Sequence, residues 1–80
     1  MKNLADVTEH FRKRGYPDCG VYDGKFHMTD SWIDATLYYK YGQWVIELKY
    51  DDSDDRYCYD DLEEAVEHLD GEFYNYSEDK

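Results

Sequence analysis

Eighty residues with a net charge of −11, 36% charged and 19% aromatic, describe one small acidic domain spanning 1–80, too rich in large side chains to be disordered. No apolar run approaches the roughly 20 residues that span a bilayer, and Met1-Lys2-Asn3-Leu4-Ala5-Asp6 lacks the apolar stretch of a secretory signal. The negative charge argues against direct binding to nucleic acid or an anionic membrane, and two cysteines in an otherwise unremarkable background indicate a cytoplasmic protein with reduced thiols rather than a Cys19–Cys58 disulfide.

Residues 3–14 carry a helical pattern: Leu4, Val7 and Phe11 fall on one face. Asn3 is a capping residue, Asp6 suits the positive end of the helix dipole, and Arg12-Lys13-Arg14 suits the negative end. Gly15 is placed to terminate the helix. Tyr16-Pro17-Asp18-Cys19-Gly20 predicts a turn, and Val21-Tyr22-Asp23-Gly24-Lys25-Phe26-His27-Met28 a short hairpin about Asp-Gly. Thr29-Asp30-Ser31 is a connector. From Trp32 the chain alternates. Ile33, Ala35, Leu37, Tyr39 and Tyr41 form a core face and Trp32, Asp34, Thr36, Tyr38 and Lys40 an outer one. A reversal at Tyr41-Gly42-Gln43 leads into a second long strand that buries Trp44, Ile46, Leu48 and Tyr50.

An acidic loop, Asp51–Asp55, precedes a final aromatic strand, Arg56-Tyr57-Cys58-Tyr59. Asp60, with Glu63 three residues on, predicts the capped start of a helix that buries Leu62, Ala65, Val66 and Leu69 and ends at Gly71. Phe73-Tyr74-Asn75-Tyr76 reads as a last extended segment, with residues 77–80 frayed. The resulting fold class is α+β: an antiparallel sheet of about four strands with an N-terminal and a C-terminal helix packed on one face.

Charge divides sharply along this order. Residues 1–50 hold seven acids and seven bases; residues 51–80 hold thirteen acids and two bases, hence the entire net charge. Uniform halophilic adaptation would spread acid over the whole surface, and solubility alone is served by mixed signs. Asp60, Glu64 and Glu67 recur opposite the apolar stripe of the second helix, flanked by Asp61 and Glu63, and like charges so spaced cost a helix a few tenths of a kcal/mol per pair. A surface that accepts this cost is suited to a strongly basic partner. Its expected contact residues are Asp51, Asp52, Asp54, Asp55, Asp60, Asp61, Glu63, Glu64 and Glu67, with Tyr57 and Tyr59 as nearby anchors. The competing surface is the outer sheet face with Tyr22, Trp32, Tyr38 and Val45, which would serve an adaptor or a homodimer.

Catalytic and cofactor chemistry is not expected. Cys19, His27, Cys58 and His68 are separated by eight, thirty-one and ten residues, which matches no zinc pattern. Asp51-Asp52-Ser53-Asp54-Asp55 opens like a calcium loop but continues with Arg56 and Leu62 where an EF-hand requires Gly and Glu. There is no nucleophile elbow and no phosphate-cradling glycine loop, and His10, His27 and His68 read as surface or boundary residues.

A small, acidic, tyrosine-rich α+β chain without a catalytic motif resembles the phage-encoded inhibitors of host defence, and among them the anti-CRISPR proteins, several of which are acidic DNA mimics. The likeness covers composition and architecture and involves no shared motif. It implies a non-enzymatic inhibitor, without cofactor or metal, that binds a CRISPR effector and blocks DNA recognition or cleavage. Immunity proteins and antitoxins that inhibit nucleases share this character and are the alternative.

Overall fold

The structure, a computed structural model, describes the backbone of residues 3–16, 18–30 and 33–77 and, within those ranges, the side chains as far as Phe73. Helix α1 (Leu4–Lys13) leads into five strands, β1 (Cys19–Tyr22), β2 (Lys25–Asp30), β3 (Ile33–Lys40), β4 (Gln43–Lys49) and β5 (Asp54–Tyr59), and helix α2 (Leu62–Ser77) closes the chain. The strands form one antiparallel meander in the order β1-β2-β3-β4-β5. The sheet thus has five strands rather than about four, with both helices on one face.

Local chemistry accounts for the boundaries. Asn3 Oδ1 accepts the Asp6 N–H at 3.0 Å and caps α1. At the other end Gly15 takes φ +96°, Tyr16 N–H reaches back to Phe11 C=O, and Gly15 N–H to Arg12 C=O, each at 3.1 Å. That pattern is a Schellman cap, and it turns Tyr16 edge-on to Phe11 and Phe73. Two-residue loops of type I′ character join β1 to β2 and β3 to β4, with φ +54° at Asp23 and +72° at Gly24, then +54° at Tyr41 and +78° at Gly42.

Several boundaries depart from the sequence pattern. β1 begins at Cys19, inside the expected turn, and β2 runs on through Thr29 and Asp30, expected as a connector, because both residues pair with β3. Ser31, the last residue of the expected connector, and Trp32, where the long alternation was expected to begin, lie outside the described residues, as do Pro17 in the expected turn and residues 78–80 of the expected frayed end. Tyr39 and Tyr41, assigned by parity to the core, are 58% and 91% exposed. Tyr41 sits in the loop itself, and Tyr39 lies next to it at the strand end, packing edge-on against Trp44.

Helix α2 departs furthest from the sequence pattern. Gly71 does not end it, and residues 73–76 are helical rather than extended. Phe73 follows Leu69 by four residues and continues the stripe of Leu62, Ala65, Val66 and Leu69 into the core, where it is fully buried. The gain from burying a phenylalanine, about 2–3 kcal/mol, outweighs the cost of roughly 1 kcal/mol for a glycine in mid-helix.

One core lies between the helices and the sheet. Val7 and Phe11 come from α1; Phe26 and Met28 from β2; Ile33, Ala35 and Leu37 from β3; Ile46 and Leu48 from β4; and the stripe from α2. Phe11 stacks on Phe26 with ring centroids 5.6 Å apart. The register places Leu37 opposite both Phe26 and Ile46. Cys19 and Cys58 sit on the two edge strands, four strand spacings or about 19 Å apart, far beyond the reach of a disulfide.

Candidate acidic interface

The acidic residues belong to the turn after β4, to β5 and to α2, all at one end of the sheet. Tyr50 N–H donates to Ser53 C=O at 2.8 Å and closes the turn, which leaves Asp51 and Asp52 exposed at its tip. Asp54 and Asp55 are not loop residues as the sequence suggested; they begin β5, opposite Lys49 and Leu48. By the register Asp54 points to the open face of the sheet and Asp55 to the helix side. The helix cap is Asp61, not Asp60: its Oδ1 accepts Glu63 N–H at 3.2 Å, and its backbone carbonyl accepts Ala65 N–H at 3.2 Å. Asp60 instead ties the end of β5 to the start of β4, accepting from Gln43 Nε2 at 3.4 Å. Glu63, Glu64 and Glu67 are exposed on α2. The nine carboxylates therefore do not form one flat row. They follow β5 from the turn to the helix start, about 20 Å at strand rise, and then the solvent side of α2.

Among the described residues, ion pairing falls elsewhere. Asp70 meets His10 Nε2 at 2.9 Å and Arg14 at 3.4 Å, joining α2 to α1. Glu47 pairs with Arg56, Glu9 with Lys13, and Glu72 lies 3.5 Å from His68. Among the described residues Asp51, Asp52, Asp54, Asp55, Glu64 and Glu67 make no ion pair, and all six are exposed. The Tyr57 hydroxyl registers this field: the Asp55 carboxylate first, then burial, then Glu72 and Tyr59, push it above the ordinary tyrosine range.

Tyr57 and Tyr59, expected as anchors, are half-buried on the helix side of β5. The Tyr57 ring packs against His68 at 4.3 Å between centroids, and the Tyr59 hydroxyl lies 2.5 Å from His68 Nδ1. Glu72 accepts from the Tyr50 hydroxyl at 3.0 Å, while His68 Nε2, buried, approaches Glu72 without hydrogen-bond geometry. The tyrosines thus clamp α2 to the sheet and hold the acidic end rigid; Tyr50, His68 and Glu72 complete the clamp. Sequence reasoning missed His68 in this role. The signal was its position one residue before Leu69, at the boundary of the buried stripe and on the side of β5.

The other face of the sheet carries no helix. Tyr22, Tyr38 and Val45 lie on it, and Trp32 lies outside the described residues. Its rings are engaged within the chain: Tyr22 stacks on His27 at 4.1 Å between centroids, and Lys25 sits 4.6 Å above the Tyr38 ring. Val45 is only 8% exposed. Glu47 occupies the middle of this face, accepting from Tyr38 at 3.0 Å and Arg56 at 2.6 Å. Burial raises the Glu47 carboxyl, but these two hydrogen bonds and the Arg56 charge outweigh it and hold the group below its ordinary range. The same carboxylate, after burial itself, pushes the Tyr38 hydroxyl up.

No helix among the described residues is long and apolar enough to cross a membrane, and among the same residues no three metal-ligating side chains cluster. No family model, curated protein or solved structure matches the chain.

Proposed function

We propose that the protein is a non-enzymatic inhibitor whose acidic β5–α2 end occupies a basic, nucleic-acid-binding surface on its target and excludes DNA from it. The observation that carries this reading is the segregation of charge. The whole net charge of −11 belongs to residues 51–80, and α2, which bears much of it, is anchored by five buried side chains from Leu62 to Phe73. Carboxylates fixed on a rigid frame stand in for phosphates without the ordering cost that a flexible acidic tail would incur on binding. They also accelerate encounter with a basic cleft. A CRISPR effector is the target class that the resemblance in composition and architecture favours; a nuclease held by an immunity-type inhibitor is the second.

The experiment is an inhibition assay on a panel of purified CRISPR effector complexes and nucleases, each with its labelled DNA substrate. The expected result is loss of DNA binding or cleavage for a member of the panel, relieved by 0.5 M salt and by the double charge reversal Glu64→Lys/Glu67→Lys. Inhibition that withstands both but is abolished by Tyr38→Ala would instead assign function to the open sheet face.

A further inference from the structure

The β1 end of the sheet contrasts with the acidic end. Thr29 N–H donates to Asp18 C=O at 3.1 Å. Hydrogen-bonded pairs recur at every second residue of an antiparallel ladder, so Gly20 and Tyr22 turn their peptide groups toward β2, and Cys19 and Val21 turn theirs outward. Arg12 marks the same direction: its Nη2 donates to the Cys19 carbonyl at 3.2 Å from α1. No described strand lies on this side of β1. Sheet edges are commonly shielded by charge. The β5 edge carries Asp54, Asp55 and Arg56, whereas β1 reads Cys19-Gly20-Val21-Tyr22. Val21, on the helix side, is 45% exposed. Beside it an open cavity of about 620 Å³ separates β1 from the Ala5–Thr8–Glu9–Arg12 flank of α1.

We propose that two copies of the chain pair through this edge, β1 against β1, antiparallel about a twofold axis at Gly20. In that register Cys19 and Val21 of one copy exchange hydrogen bonds with Val21 and Cys19 of the other, and the Cys19 carbonyl trades Arg12 for a ladder partner. Gly20 faces its counterpart in the closely spaced, non-hydrogen-bonded position, about 4.5 Å between Cα atoms, and a Cβ added to Gly20 would meet nothing within 4 Å in the single chain. An axis perpendicular to the sheet keeps both α1 helices on one side. Because α1 packs over β1 and β2, a strand spacing of about 4.8 Å brings the two helices to roughly 10 Å, the separation of packed helices. Their facing flanks carry Ala5 and Thr8, small enough to permit this approach. Charge permits the association. Residues 3–22 hold three acids and three bases, and the acidic end lies across the sheet, beyond the Debye length of about 8 Å at physiological salt. The joined sheet has ten strands and an acidic end at each extremity.

Sedimentation equilibrium of the full chain up to about 200 μM tests this, with two variants chosen by the direction of the Val21 peptide. Val21→Pro deletes only the outward N–H, and Val21→Lys places a charge at the seam. Gly20→Cys combined with Cys58→Ser traps the axis by oxidation, with Cys58→Ser alone as control. The expected results are a dimer for the parent, at least a tenfold weaker dimer for each Val21 variant with an unchanged circular-dichroism spectrum, and a reducible dimer band for Gly20→Cys only. Should one Val21 variant fail to fold, the other and the cross-link decide. A parent that is monomeric at 200 μM with no cross-link, or a dimer indifferent to Val21→Lys, would overturn the proposal.

Discussion

At the residue scale the most informative group is Glu47. Its carboxyl is held low by Arg56 and Tyr38 against the effect of its burial, and Tyr38 is held high in turn. The signs of the two contributions differ. A depressed carboxyl stabilises the fold above its unfolded pKa, near 4, and that contribution disappears as pH falls through the folded value. A raised tyrosine stabilises below its unfolded pKa, near 10, and that contribution is lost as pH rises through the folded value. Melting temperature against pH should therefore lose part of its acid limb in Glu47→Gln and part of its alkaline limb in Tyr38→Phe, each relative to the parent. The effects will be small because Arg56 is mostly exposed; curves that superimpose on the parent in both limbs would refute the linkage. Phe73→Ala belongs to the other extreme. The side chain is fully buried against Tyr16 and the α2 stripe, and its truncation should cost about 3–5 kcal/mol in urea unfolding.

At the element scale, the alternations at 33–37 and 44–48, the Asn3 cap, the Gly15 terminus and the Asp-Gly hairpin were all legible, because each is decided by residues within one turn or one strand. The end of α2 was not. A glycine after a helical stripe ordinarily signals a stop, and only the fixed distance from Leu69 to Phe73 reveals that the helix continues to fill the space under Tyr16. Gly71 gives the direct check. It is exposed, has no positive φ and no atom within 4 Å of an added Cβ, so Gly71→Ala should stabilise the protein by about 0.5–1 kcal/mol. Destabilisation would mean that Gly71 serves as a left-handed terminus. The acidic residues were legible as a charged stretch but not as a shape. The cap at Asp61, the strand positions of Asp54 and Asp55, and the inward placement of Tyr57 and Tyr59 depend on the β4–β5 register, which no local pattern specifies.

At the scale of the molecule, the sheet is a graded object. One edge joins a neutral helix and an uncharged strand, and the other joins β5 and α2 with all the net charge. Like charges gathered at one end repel, and the compensating contacts are visible: His10 and Arg14 on Asp70, and the Tyr59–His68 and Tyr50–Glu72 hydrogen bonds. Raising salt from 0.05 to 0.5 M should accordingly increase the melting temperature of the isolated chain, since screening relieves the repulsion among unpaired carboxylates more than it weakens a few short pairs; a decrease would show that ion pairing dominates. The most direct test of the proposed exclusion of DNA by this end is competition on a CRISPR effector complex or nuclease to which the chain binds, following fluorescence anisotropy of labelled DNA as the chain is added. Mutually exclusive binding is expected, with displacement weakened at least tenfold by Glu64→Lys/Glu67→Lys; a ternary complex in which DNA stays bound beside the inhibitor would contradict it.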